Sequence, residues 1–222
     1  MALVEVNTPS GAFDFAQGLA TPAAPYDALA QLSRLRDEAG QDLRLTRFLA
    51  SAPRACMLLL AAGTLTALSS AKGLGYEFLW AMLLLAGIVA ITFNHIRNFA
   101  VARPMQSLPA AASHLRGLLL YTGLAWGSGA FLVLPAQPAP ILTFVFAVVP
   151  AALLGIILKD QKAAAAFAAP VAVVTVMAAL LAGWPQALWI SAAILAALPG
   201  IIAIPALQQN SPHRAFASLV LR

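Results

Sequence analysis

Residues 117–158, GLLLYTGLAWGSGAFLVLPAQPAPILTFVFAVVPAALLGIIL, decide how this chain folds. Two apolar runs, Gly117–Pro135 and Pro140–Leu158, are separated by four residues that carry no charge. About 20 residues at ~1.5 Å each cross the ~30 Å of a bilayer's hydrocarbon, and each run is close to that length. The gap between them leaves room only for a tight turn. The stretch therefore reads as a transmembrane hairpin, with Arg116 before it and Lys159 after it.

The rest of the composition points the same way. The chain has 222 residues, is 61% hydrophobic and 9% charged, and has a mean hydropathy of +0.85, whereas soluble domains carry roughly 25% charged residues. A water-soluble globule of this size could not hide so much apolar surface, which makes the bilayer the expected solvent. A net charge of +5 and a pI near 10.0 would suit nucleic acid. The basic residues sit at the ends of apolar segments, however, so no nucleic-acid partner is expected. The lone cysteine, Cys56, opens an apolar run and has no second cysteine to pair with. Residues 1–25 show neither a basic residue nor an apolar core of signal-peptide length, so targeting is expected to use the first span.

Working outward, residues 1–25 sustain no period and are expected to form a disordered tail. From 26 to 50, Leu29, Leu32, Leu35, Ala39, Leu43 and Phe48 recur at helical spacing among Arg34, Arg36, Asp37, Glu38, Asp42, Arg44 and Arg47. An amphipathic helix is expected there, lying on the membrane interface or packed, as a cytosolic helix, on its own bundle or on a dimer mate. The fold class expected is all-α: a polytopic membrane protein with six transmembrane helices over residues 51–208. The spans are about Ala55–Ala71, Tyr76–Phe93, Gly117–Pro135, Pro140–Leu158, Ala163–Gly183 and Ala187–Leu207. A polar, proline-interrupted loop over 94–116 joins the second span to the third. Residues 209–222 begin a cytoplasmic linker.

Counting cations tests the orientation. One side of the expected membrane collects Arg34, Arg36, Arg44, Arg47 and Arg54, then Arg97, Arg103 and Arg116, then Lys159 and Lys162, and finally Arg214 and Arg222. That leaves only Lys72 of the 13 basic residues on the other side. Such a bias places both termini in the cytoplasm of a bacterial inner membrane. Tyr76, Trp80, Trp184 and Trp189 are expected as aromatic anchors at the outer interface.

Chemistry-bearing groups are scarce within the spans. No Lys, Arg or His lies mid-span, and Glu77 and Asp160 fall at span ends, so ion coupling is disfavoured. His95, His114 and His213 show no metal-ligand spacing. No G-x-S-x-G, H-E-x-x-H or P-loop occurs. No enzyme activity, cofactor or metal is expected. What the spans do hold is small residues and prolines. Gly123 and Gly127 form a G-x-x-x-G pair with Gly129 nearby, suited to close helix packing. Pro150, Pro170, Pro199 and Pro205 interrupt helix hydrogen bonding and favour kinks.

Residues 114–222 resemble the N-terminal multi-helix membrane regions of bacterial signalling proteins with diguanylate cyclase, cyclic-di-GMP phosphodiesterase or histidine kinase outputs. The matching pieces are LRGLLLYTGLAWGSGAFLVLP, VVPAALLGIIL and KAAAAFAAPVAVVTVMAALLAG, with FASLVLR similar to the start of a helical linker. No GGDEF, EAL or kinase motif lies in the chain. The resemblance implies a sensory, signal-transmitting region partnered by the lipid bilayer, by a cytoplasmic output domain and by a second copy as a homodimer. A non-catalytic accessory subunit of a membrane complex is the alternative, and a small-solute carrier, which would call for an internal repeat, is a third.

Overall fold

The apolar runs form helices because, in a medium without water, a helix satisfies its backbone groups internally. In the computed structural model the backbone is described for residues 25–69, 74–100, 108–135 and 138–220, and side chains for 30–69, 75–98, 108–135 and 138–208. Seven helices follow in order among these residues: α1 (Pro25–Ala50), α2 (Ala52–Leu68), α3 (Leu74–Ala100), α4 (Leu108–Leu132), α5 (Pro140–Leu158), α6 (Gln161–Leu181) and α7 (Ala187–Val220). No strand occurs among the described residues. The protein is an all-α membrane protein. Five stretches are long and apolar enough to cross a bilayer: Ala30–Leu68, Gly75–Asn98, Pro140–Leu158, Gln161–Leu181 and Ala187–Gln208.

Helix α4, which covers the third expected span, is not among the five. Its Gly, Ser, Thr and Trp residues and the leading His114 and Arg116 dilute its apolar character. The fold shows why this composition is tolerated. Eleven α4 residues are buried, including Thr122, Gly123, Trp126, Gly127 and Gly129, so its packed face meets protein instead of lipid.

The chain divides into two units, Met1–Gln41 and Asp42–Arg222. In the first, the described segment is the helical stretch from residue 25. The expected disordered tail falls on residues outside those described, apart from Pro25, which begins α1. In the second unit α4 packs on α3 and α6, α6 on α5 and α7, and α5 on α7 and α2.

Packing departs from chain order at the hairpin, and one expectation needs correcting. The hairpin partners α4 and α5 are only seven residues apart in the chain, yet α4's close backbone neighbours are α3 and α6. Its contact with α5 runs through large side chains, Trp126 against Phe146. The polar loop expected over 94–116 is also mostly helix, since α3 runs on to Ala100 and α4 begins at Leu108. Polar side chains do not end a helix when its own backbone bonds continue. Pro109 sits at the second position of α4, where a missing N–H costs nothing.

The α4 side of the α4–α6 contact is made by glycines. A Cβ added at Gly123 would stand 2.6 Å from the Phe167 carbonyl oxygen and 2.8 Å from Pro170, and one at Gly127 would stand 2.9 Å from Val174 Cβ. Gly117, on the same helix, has open space around it. Gly123→Ala should therefore destabilise the bundle by about 1–3 kcal/mol through overpacking against backbone, whereas Gly117→Ala should be neutral or slightly stabilising. Thermal unfolding of the two variants in the same detergent checks this pair of outcomes.

Candidate functional site

Two constellations hold the non-hydrocarbon chemistry of the bundle. The first is an aromatic ladder across α3, α4 and α5. Trp80 meets Trp126 edge-on, with centroids 5.5 Å apart and planes at 69°. Trp126 stacks on Phe146 at 5.4 Å and 23°. All three are buried, Trp80 completely. Gly129 makes room for the ladder, because a Cβ there would stand 2.7 Å from Trp80 Nε1.

Each indole N–H donates to a backbone carbonyl. Trp80 Nε1 donates to the Trp126 carbonyl at 3.3 Å, and Trp126 Nε1 to that of Phe146 at 3.0 Å. The second bond has a local cause. Pro150 lies inside α5 and has no N–H to give to the carbonyl four residues back, which is Phe146. The indole of the neighbouring helix takes the place of the missing donor.

The same device recurs at the α1–α2 break. Pro53 leaves the Leu49 carbonyl without its helical donor, and His95 Nδ1 lies 3.2 Å from that oxygen. A carbonyl only accepts, so His95 carries its proton on Nδ1 in this contact.

The second constellation lies where α3 and α5 end and α4 and α6 begin. Arg116 grips Asp160 with two hydrogen bonds, Nε to Oδ1 at 3.2 Å and Nη2 to Oδ2 at 3.0 Å. Its guanidinium also lies 5.6 Å from the Phe48 ring centroid. Asp160 is at the same time the N-cap of α6, accepting from the Ala163 N–H at 2.6 Å. Beside this pair, the side-chain oxygen of buried Asn94 meets His114 Nδ1 at 3.1 Å and Asn98 Nδ2 at 3.2 Å. One bidentate pair thus ties the end of α1, the start of α4 and the start of α6 together.

A shallow apolar cleft of about 160 Å³ opens between α2 and α3, with Gly63, Leu84 and Trp80 in its walls. No group of three or more His, Cys, Asp or Glu residues among those described is placed to hold a metal ion. Buried Cys56 approaches the Ile88 carbonyl at 3.8 Å and receives a contact from Thr92 at 3.6 Å.

The residues singled out from sequence distribute unevenly. Gly123, Gly127 and Gly129 all lie at close contacts within the chain. Helices continue through Pro150, Pro170, Pro199 and Pro205, with Pro150 and Pro205 buried. Tyr76 and Trp189 are exposed, whereas two expected anchors are not. Trp80 fills the slot that Gly129 opens, so it faces inward. Trp184 is buried as well, because α6 ends in a Schellman turn. Gly183 takes a left-handed φ of 62°, and the Trp184 N–H bonds back to the Ala179 carbonyl, folding the indole inward. Arg54, Arg97, Lys159 and Lys162 are exposed at helix ends, Arg116 is the ion-pair residue, and the Arg214 side chain lies outside those described.

Sequence reading passed over the Trp126–Phe146 bond and the Arg116–Asp160 pair. A signal for the first existed in the simultaneous presence of a glycine-flanked Trp on one helix and a mid-helix Pro on the next.

Trp126→Phe keeps the stack and removes the donor, so it should cost about 1–3 kcal/mol by orphaning the Phe146 carbonyl. Pro150→Ala in that background restores the helical donor and should recover much of the loss, so a double-mutant cycle in detergent unfolding should show coupling. Asp160→Ala loses the cap as well as the ion pair and should destabilise by about 1–2 kcal/mol, more than Arg116→Gln does in the same assay.

Compared with protein-family models, curated proteins and solved structures, the chain matches none.

Proposed function

We propose that this chain is a non-catalytic signal-transmitting membrane region, with six crossings supplied by α2 to α7 and both termini on the cytoplasmic side of a bacterial inner membrane. A change in packing within the bundle, set by a ligand, a lipid or the state of the membrane, leaves it along α7. The observation that carries this reading is the length of α7. At ~1.5 Å per residue its 34 residues span about 51 Å, well beyond the ~30 Å of hydrocarbon. The sequence turns polar at Gln208 with QQNS, yet the helix runs unbroken to Val220, so movement inside the bundle has a stiff path out of it.

Two further features support the reading. Gly155 of α5 sits close to the Ile201 carbonyl of α7, which Pro205 leaves without its helical donor. That contact joins the bundle to α7 at a point where its own ladder is interrupted. The Arg116–Asp160 clasp gives the helix ends on one side a discrete make-or-break contact, the kind of element whose balance a ligand can shift. Helix α4 crosses in this reading because protein, not lipid, surrounds its polar and glycine-bearing face.

Topology reporters inserted at Gln137 and Gln186 should report the outer side and one at Asp160 the inner side; all three on one side would end the six-crossing reading. For transmission, one to four alanines inserted after Gln209 in a chain fused to a dimeric reporter cyclase should make output rise and fall with a period of about 3.6 residues. An output indifferent to insertion length would rule out a rigid α7 path.

A further inference from the structure

Helix α1 carries a row of apolar side chains that stay exposed. At about 100° per residue, Leu32, Leu35, Ala39 and Leu43 fall within an arc of about 80°. Leu32, Leu35 and Leu43 are 62%, 61% and 52% exposed, and Ala39 is exposed with them. The charges beside the row are sorted by sign. Arg36 and Arg47 lie along one edge, and Glu38 and Asp42 along the other.

We propose that this row is a contact between two copies of the chain, α1 of one copy packing on α1 of the other in parallel. The charge pattern selects both the partner and the orientation. A two-fold axis running along the helices sets the basic edge of each copy against the acidic edge of its mate, at both seams. An antiparallel pair would set Arg36 and Arg47 against themselves, and Glu38 and Asp42 likewise. Such edge charges add little affinity but decide register and direction.

The spacing fits a helix pair. Steps of three, four and four residues bring the row back after eleven, the period of nearly straight to right-handed coils. A helix lying on anionic headgroups would want cations along both edges. Here Glu38 and Asp42 would be pressed toward the phosphates on one of them. This contact stands apart from the question of what the bundle transmits.

The test uses the full chain in proteoliposomes, with buried Cys56 replaced by Ala and single cysteines introduced by Leu35→Cys, Ala39→Cys, Ser33→Cys or Gln41→Cys. Residues facing each other across a parallel seam come within the ~4.4–6.8 Å Cα separation a disulfide needs. Mild oxidation should therefore give roughly tenfold more linked dimer at positions 35 and 39 than at 33 and 41, which point about 120° and about 160° away from the centre of the row. Adding Arg36→Glu to the Ala39→Cys chain should cut the yield, and adding Asp42→Arg as well should restore it by exchanging the two edges. Equal yields at all four positions, or no linked dimer at any, would overturn the proposal. So would cross-linking indifferent to Arg36→Glu. Shielding of positions 35 and 39 from a water-soluble maleimide without cross-linking would overturn it too, and would assign the row to the membrane surface.

Discussion

The structure depends on how closely α4 and α6 approach. In hydrocarbon, apolar side chains gain nothing by leaving lipid for one another, so helices associate through dispersion contacts and backbone proximity. Gly123 and Gly127 let the backbone of α4 come near enough to α6 that a single methyl group would collide with the Phe167 carbonyl or the Val174 side chain. On α6 they meet the side that carries Phe167, Pro170, Val171 and Val174. Because α4 is committed to α6 and α3, its chain neighbour α5 meets it through the Trp126–Phe146 stack and the bond from the Trp126 indole to the Phe146 carbonyl. The order of helices in space follows from where the small residues lie.

The same medium governs the prolines. Each mid-helix proline leaves one carbonyl without its helical donor, and inside a bilayer no water replaces it. For the mid-helix Pro150 the bundle supplies a side-chain donor from a neighbouring helix, the Trp126 indole for the Phe146 carbonyl, and at the α1–α2 break the His95 ring does the same for Leu49. These bonds make the interruptions directional. They state which helix must lie beside the proline-bearing one, and at which turn, so elements that weaken one helix specify the assembly of two.

Polar groups cluster at helix ends for a related reason. Arg116 and Asp160 are partly shielded and satisfy each other with two bonds, while Asp160 also caps α6. A carboxylate at a helix N-terminus and a guanidinium spread over an aromatic ring are both cheap ways to keep charge near an apolar core. Three helices, α1, α4 and α6, are held by residues that are distant in sequence.

Much of this was legible in the sequence. Apolar runs of span length dictate helices whatever their neighbours, because backbone groups in hydrocarbon have few other ways to be satisfied, and five of the expected runs coincide with helical stretches long and apolar enough to cross a bilayer. The G-x-x-x-G pair announced a close contact, and the clustering of cations marked helix ends. What one-dimensional reading could not supply was the facing. A Trp near a span end reads as an interface anchor, yet Trp80 turns inward because Gly129, 49 positions later, leaves a slot for it. Trp184 turns inward because the left-handed Gly183 folds the chain back on α6. Length, apolarity and element type are properties of a segment and its solvent, and the sequence by itself determined them. Which helix α4 chooses, which carbonyl an indole reaches and which tryptophan sees lipid depend on partners far along the chain, and only the tertiary structure decided those.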